Sequence, residues 1–519
     1  MRNNLDILTQ GESKKVRLVF KSLIIGIVAS VVTVLYRFAL AKAESFSFWM
    51  YSYVKENQWS IPLLFIGLAI TGFIVGKVVE REPFSGGSGI PQVKAVMGGY
   101  LKENPLKVIL AKFVGGILAI CSGLSLGREG PSVQLGACVG DILSKKFKSS
   151  KLERRLLMSS GASAGLSAAF NAPLAGALFS LEEIYKYISP LVLLATLTAA
   201  VASDFVSKEF FGLNPVFDFS KAKSIPLSNY WLLIILGVLL GLGGVFYNWF
   251  TLKCQKLYGK FKIKASIKMI FPFLIAGIVG LTFPVVLCGG HAVIEELTLE
   301  KSLGILCAML VVKFIYSIFS FGSGAPGGIF FPLLIIGASI GAIFGYIAIN
   351  FLGVSPDYYN NFIIISMAGY FTAIVRAPIT GIILITEMTS SLNHLLSLTI
   401  VCVISYIIAD LCKSNPIYDS LLDNLLLKNN VKEKGEKHSS KKIIISNTVH
   451  FGSKIDNKLI KDINLPDDTL IVSIKRGSDS FVPNGSTLIK AGDEILTMAD
   501  AGFEWQIREE LDNLTTLEI

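Results

Sequence analysis

Charge is scarce in this chain. Of its 519 residues 17% are Asp, Glu, Lys or Arg and 52% are apolar, with a mean hydropathy of +0.60, far from the balance of a soluble globular protein. Histidine is rarer still: the four, at 291, 394, 438 and 450, form no HExxH pair, which removes the usual zinc-binding helix. The seven cysteines, at 121, 138, 254, 288, 307, 402 and 412, show no CxxC or other ligand spacing. No metal site is expected from them, and they read as ordinary buried residues. There is no phosphate-binding loop and no nucleophile–base pair, so neither an enzyme nor a cofactor is expected. A TVGYG-type carbonyl filter is also missing, since "MAGYF" at 367–371 is only superficially similar, which argues against a potassium-selective pore.

What the chain does have is apolar tracts, recurring from about 19–41 through to 395–412, where about 20 such residues suffice to cross a bilayer. The expectation is a multi-pass protein of the cell membrane with lipid as its main surroundings. Its start, "MRNNLDILTQGESKKVR", is polar and basic and lacks a small-residue cleavage pattern, so no cleavable signal is expected. Basic stretches at the start, at 144–155 and at 253–268 place those segments in the cytoplasm, because Lys and Arg accumulate on that side. This bias accounts for most of the net +10, and no nucleic-acid partner is needed to explain it.

Several tracts are broken by Gly and Pro: "GGSGIPQ" (86–92), "GREGP" (127–131), "NAPLAG" (171–176), "GSGAPGGIFFP" (322–332) and "RAPITG" (376–381). Non-helical backbone at membrane depth persists only where protein buries it or a watery cavity takes it up. The breaks also repeat. Gly127-x-x-x-Pro131 precedes Ala172-Pro173 much as Gly328-x-x-x-Pro332 precedes Ala377-Pro378, and the following tracts end in Glu182-Glu183 and in Glu387. Corresponding broken segments in two halves point to a transport site at their interface.

A helix that begins inside the membrane offers unpaired N–H groups and a positive dipole end. Each such end is worth about 0.3–1 kcal/mol to an anion, and up to about 2 when partly buried. A charge at the helix centre costs about 2.5–3.5 kcal/mol, so two or three converging ends make an anion site without a full positive charge. That is useful for conduction, because the ion must also leave.

"GSGIPQ" (87–92), "GREGP" (127–131) and "GGIFFP" (327–332) resemble the three signature stretches of the CLC chloride channel and transporter family. "GASAGLSAAFNAPLAGALFSLEE" (161–183), "RAPITGIILITEMT" (376–389) and "NPIYDSLL" (415–422) are similar to it as well. The resemblance covers roughly 18–425. It implies an all-α polytopic fold with two inverted halves and re-entrant broken helices, assembled as a homodimer with an anion pathway in each subunit. It also implies that Ser88 and Tyr418 give their hydroxyls to a central chloride, with backbone N–H groups from Ile329 and Phe330. Serine at 88, rather than proline, fits chloride better than nitrate. The backbone at Arg128 and Gly130 would serve an outer anion site.

Glu129 stands at the mouth of a helix whose start attracts anions, so its charged form can occupy an anion's place. Burial penalises that charge and the helix end favours it, which makes protonation a plausible opening step. The resemblance makes Glu129 the gate and Glu183 the internal proton-transfer group of exchangers, one that channels usually replace. Glu182 beside it reads as a helix-end charge facing cytoplasmic water. Phe331 departs from the family, which often has a smaller residue there.

From about residue 420 the texture turns charged and Ser/Lys-rich, which reads as a linker over 426–440 between a membrane domain (18–425, after a cytoplasmic segment 1–17) and a tail domain (441–519). "KIIISN", "TLIVSIKR" and "EILTMAD", separated by turn signals such as "LPDD" and "RGSDS", predict a small strand-rich unit. It resembles the TrkA-C (RCK-C) module, an α+β regulatory domain, which implies a cytoplasmic dimeric unit with a small-molecule ligand. No nucleotide fingerprint accompanies it, and the CBS domains of eukaryotic relatives are missing. The sequence therefore favours proton-coupled chloride antiport. A passive chloride channel of the same fold, and a potassium or other cation transporter regulated by the tail, stand as alternatives.

Overall fold

The computed structural model describes residues 2–186, 189–213, 215–217, 219, 223–261, 263–429, 442–467, 469–477, 479–500 and 504–516. It divides into a unit that runs to Leu425 and a second from Leu426 onward, which also takes in Gly98–Tyr100.

Among the described residues the first unit is built of helices. Its first half contains α1 (Arg2–Glu56), α2 (Ile61–Arg81), α3 (Ile90–Met97), α4 (Pro105–Cys121), α5 (Glu129–Lys146), α6 (Lys151–Phe170), α7 (Pro173–Phe179) and α8 (Pro190–Phe211). The second half follows with α9 (Tyr230–Lys260), α10 (Ala265–Lys268), α11 (Ile270–Thr282), α12 (His291–Glu296), α13 (Leu303–Gly322), α14 (Phe330–Leu352), α15 (Tyr359–Val375), α16 (Pro378–Thr389) and α17 (Leu395–Leu411), and α18 (Ile417–Lys428) closes the unit. Among the described residues seven helices are long and apolar enough to cross a membrane, and the chain is a multi-pass membrane protein.

The sequence breaks fall where helices end. The apolar sequence over 156–181 is two helices, α6 and α7, parted at Asn171 in a left-handed conformation (φ 53°). The tract at 361–386 is likewise α15 and α16, parted at left-handed Arg376 (φ 67°). In both, a proline opens the second helix, where its missing N–H costs nothing.

The halves run in opposite directions, as reciprocal carboxylate caps make plain. Glu182, beyond the C-terminal end of α7, accepts from the N-terminal amides of Ile379 and Thr380 in α16 (3.1 and 2.7 Å). Glu387, near the C-terminal end of α16, accepts from Leu174 and Ala175 in α7 (3.0 and 2.8 Å). Each carboxylate satisfies orphan donors and faces the positive dipole end of the other half's helix. Glu182 was expected to face water; it instead ties the halves together.

Close packing around the break depends on small residues. A Cβ on Gly136 of α5 would lie 2.0 Å from the Gly161 carbonyl oxygen of α6, and one on Gly161 would lie 2.1 Å from that of Gly136. With rigid backbone on both sides there is nothing to give. Gly161→Val is expected to destabilise by at least the upper end of the about 1–3 kcal/mol of an overpacked core, read as early loss of monodisperse protein on heating in detergent.

The tail unit is a four-stranded antiparallel sheet of β1 (Lys442–Thr448), β2 (Leu470–Arg476), β3 (Asp479–Phe481) and β4 (Glu494–Asp500), in the order β1-β4-β2-β3. A final helix, α19 (Glu504–Thr515), buries Ile507 and Leu511 against Ile445 and Ala499. Three strands lie where the β-branched runs are. The fourth, β3, lies in "RGSDS", read as a turn only: Arg476, Gly477 and Asp479 do form a tight hairpin, with Arg476 paired to Asp479. Helix α18 also continues to Lys428, into the stretch read as linker, and 430–440 lie outside the described residues.

Candidate functional site

Three helices begin at the centre of the first unit. Helix α5 opens at Glu129, with its first backbone bond from Ser132 N–H to the Arg128 carbonyl (3.0 Å). In α14 the first is from Leu333 to Ile329 (2.9 Å), and in α3 from Val93 to Gly89 (3.0 Å). The amides ahead of these, including those of Gly130, Ile329 and Phe330, have no carbonyl one turn back within their helices.

The tips are fastened to each other. Gly127 and Gly328 exchange amide–carbonyl bonds in both directions, each 2.7 Å, while Gly87 donates to the Gly324 carbonyl and accepts from Gly327, each 3.1 Å. Gly87 and Gly89 turn the chain through φ of +62° and +99°, a conformation that few residues besides glycine adopt. This loop delivers Ser88 to the tip of α5: its Oγ would lie 2.3 Å from a Cβ on Gly130.

Ser88 and Tyr418 come from loops and helices 330 residues apart, yet their hydroxyls face one another. Both are buried, and beyond this mutual approach neither has a hydrogen-bond partner among the described residues. A buried polar group left unpaired costs about 1–3 kcal/mol, so two together mark a place built for something that accepts hydrogen bonds. The Tyr418 ring is fixed edge-on to Phe179 (6.4 Å), and Phe179 in turn edge-on to Phe330 (5.9 Å).

Glu129 is only 1% exposed. Its carboxylate lies by the amides of Glu129 and Phe331, with Oε1 3.9 Å from Arg128 Nε and Oε2 without a partner among the described residues. Beside it is a cavity of about 30 Å³, whose lining includes Arg128, Glu44, His291 and Phe331.

Three other basic side chains near the site are turned away from it. Lys112 of α4 donates to the carbonyls of Ser85 (2.9 Å) and Gly87 (2.7 Å). Lys313, at the matching place in α13, donates to those of Val286 (2.9 Å) and Cys288 (3.1 Å). Arg37 of α1 donates to the Ala168 carbonyl and to Asn171 Oδ1. Each cation holds backbone in place.

Past Tyr418 lies an ion cluster around Glu183 whose other members sequence reasoning missed. After α7 the chain widens into a π-helical turn over Ser180–Tyr185, a local unwinding often found at functional sites. It sends adjacent glutamates apart, Glu182 to α16 and Glu183 inward. Lys94 of α3 bonds Glu183 Oε1 at 2.7 Å and also bonds Asp419, which pairs in turn with Lys186. Side-chain exposure rises along the series, from 3% at Glu183 and 6% at Lys94 to 27% at Asp419 and 40% at Lys186, so the cluster reaches from the interior to the protein surface. Lys94 lies six residues after Ser88, and Asp419 follows Tyr418; their closeness to those two residues was the available signal.

The cysteines depart from expectation: Cys307 and Cys412 are exposed and Cys121 is half-buried. Among the described residues no group of His, Cys, Asp and Glu is arranged for a metal.

Two inverted halves with broken helices converging on unpaired hydroxyls define a membrane protein built around an ion pathway. Residues 67–410 match the voltage gated chloride channel family, to which the chain belongs, and residues 445–501 match the TrkA-C domain. The chain is 32% identical over 456 residues to the H(+)/Cl(-) exchange transporter ClcA of Salmonella typhimurium, covering 85% of this chain and 95% of that protein. Among solved structures it is similar to a slow cyanobacterial Cl-/H+ antiporter (26% identity, TM-score 0.75, 80% of this chain and 99% of that one). It shares its fold with a CLC-type fluoride/proton antiporter (22% identity, TM-score 0.66, 78% and 97% of the two chains).

Proposed function

We propose that the protein exchanges chloride for protons across the cell membrane. The observation that carries this is the unpartnered hydroxyl pair of Ser88 and Tyr418 at the meeting of helix starts, in line with a buried carboxylate on one side and a buried carboxylate–lysine cluster on the other. A chloride between the hydroxyls accepts from both, and from the amides of Ile329 and Phe330. The next position is the one Glu129 fills when charged. Once protonated, its carboxyl loses its attraction to the helix start and moves aside, and an anion takes its place beside the backbone of Arg128 and Gly130. Glu183 passes protons between the water-facing end of its cluster and Glu129. A passive pore has no use for a second buried carboxylate, and the similar proteins named above are exchangers.

The membrane domain (18–425) works as a homodimer in the lipid bilayer, with both termini cytoplasmic. The tail (441–519) serves as a regulatory unit for a small-molecule ligand.

The test is purified protein in liposomes at equal chloride with a pH gradient, recorded with chloride and pH electrodes together. Chloride is expected to move uphill, driven by protons, and the reversal potential to shift with the pH gradient. A passive chloride pathway gives no shift. Flux that follows a potassium gradient instead supports cation transport.

A further inference from the structure

Phe331 is the residue of the α14 tip that the exchange cycle leaves unused. Its amide faces the Glu129 carboxylate, while its ring, 2% exposed, forms one wall of the small cavity beside Arg128 and Glu129. Other rings hold it there. His291, at the start of α12, lies 4.3 Å from it centre to centre, Phe217 5.9 Å and Phe170 6.4 Å, and Phe217 also meets His291 at 6.1 Å. The backbone of Phe217 is fixed in turn, its N–H donating to the Met388 carbonyl at 3.0 Å. Gly289 lies against the same ring: a Cβ there would meet Phe331 Cδ1 at 3.4 Å. The cluster is thus packed on several sides, and the remaining space is about 30 Å³, where one water needs at least about 10–15 Å³.

We infer that Phe331, clamped by His291 and Phe217, is a collar over Glu129 that limits both the passage of anions at this mouth and their size, a role that rests on the anion-exchange reading above. An anion entering beside Arg128 must pass this ring, and a displaced Glu129 carboxyl must share the same small space. Because interiors are close-packed, the ring cannot yield without moving its neighbours. Removing it should favour larger anions more than chloride. A residue that only supported the fold would not change the ratio between anions.

The experiment compares Phe331→Ala, Phe331→Leu, His291→Phe and His291→Ala with the unaltered protein in liposomes. It measures initial efflux of chloride, bromide, nitrate and thiocyanate, with proton movement recorded in parallel. Phe331→Ala is expected to raise chloride turnover by about tenfold, the effect of a barrier lowered by about 1.4 kcal/mol. Nitrate and thiocyanate should rise further, with proton coupling kept. Phe331→Leu should fall between, His291→Ala should move in the direction of Phe331→Ala, and His291→Phe, which keeps a ring contact, should shift the anion ratios less than His291→Ala. Unchanged turnover and anion ratios in Phe331→Leu and His291→Ala would overturn the collar, and these milder variants decide the matter even if Phe331→Ala fails to fold. Absence of chloride flux in the unaltered protein would instead overturn the exchange function itself.

Discussion

Glu129→Gln is expected to move chloride at a rate that no longer varies with pH, with no accompanying protons. Glutamine has the shape of a protonated glutamate and cannot ionise, so it never competes with chloride for the start of α5. A partly buried helix start favours an anion by up to about 2 kcal/mol, and removing a tethered competitor of that strength changes occupancy by roughly thirtyfold. The effect should be largest at high pH, where the native carboxylate is charged and holds the place. The surroundings support a clean result: Oε2 has no partner among the described residues to lose, the nearby amides of Glu129 and Phe331 can donate to a glutamine oxygen as well, and Arg128 Nε is 3.9 Å from Oε1, too far for a strong bond. Simultaneous chloride and pH recording in liposomes checks it. Continued uphill proton movement by Glu129→Gln would remove Glu129 from the cycle.

Glu183→Gln should do the opposite to one half of the exchange: proton movement falls by about 10²-fold or more, a usual contribution of a positioned proton-transfer group, while chloride flux persists. The geometry explains the separation. Glu183 is joined to Lys94 and through it to Asp419, and is not one of the two unpaired hydroxyls. Lys94 keeps Asp419 as a partner in the variant, and the glutamine carbonyl can still accept from it, so the α3 end stays in place and Ser88 with it. Coupling that survives Glu183→Gln would place proton entry elsewhere. A simultaneous loss of chloride flux would mean that the cluster supports the anion site itself.

Much of this architecture was readable because proline and glycine leave local marks. Pro173 and Pro378 begin helices, Asn171 and Arg376 end them, and Gly127 and Gly328 sit where two backbones touch. The β-branched runs of the tail became strands for an equally local reason. What escaped depends on distance in the chain. Lys94 meets Glu183 across 89 residues and Glu182 meets Thr380 across 198, and a lone charge carries no sign of which opposite charge the fold brings to it. The identical chemistry of Glu182 and Glu183 hid their different fates, which a π-helical turn decides. Strand β3 escaped because three residues are too few to show a period, and α18 because a polar helix extending beyond the membrane unit has the composition of a linker.

The paired bonds between Gly127 and Gly328 act as a rivet where the starts of α5 and α14 meet. Transporters of inverted-repeat design often alternate by rocking one bundle against another, but two halves pinned tip to tip have no hinge there. On the exchange function proposed above, alternation then falls to single side chains within a standing frame, and a chemical staple joining the starts of α5 and α14 should leave turnover intact.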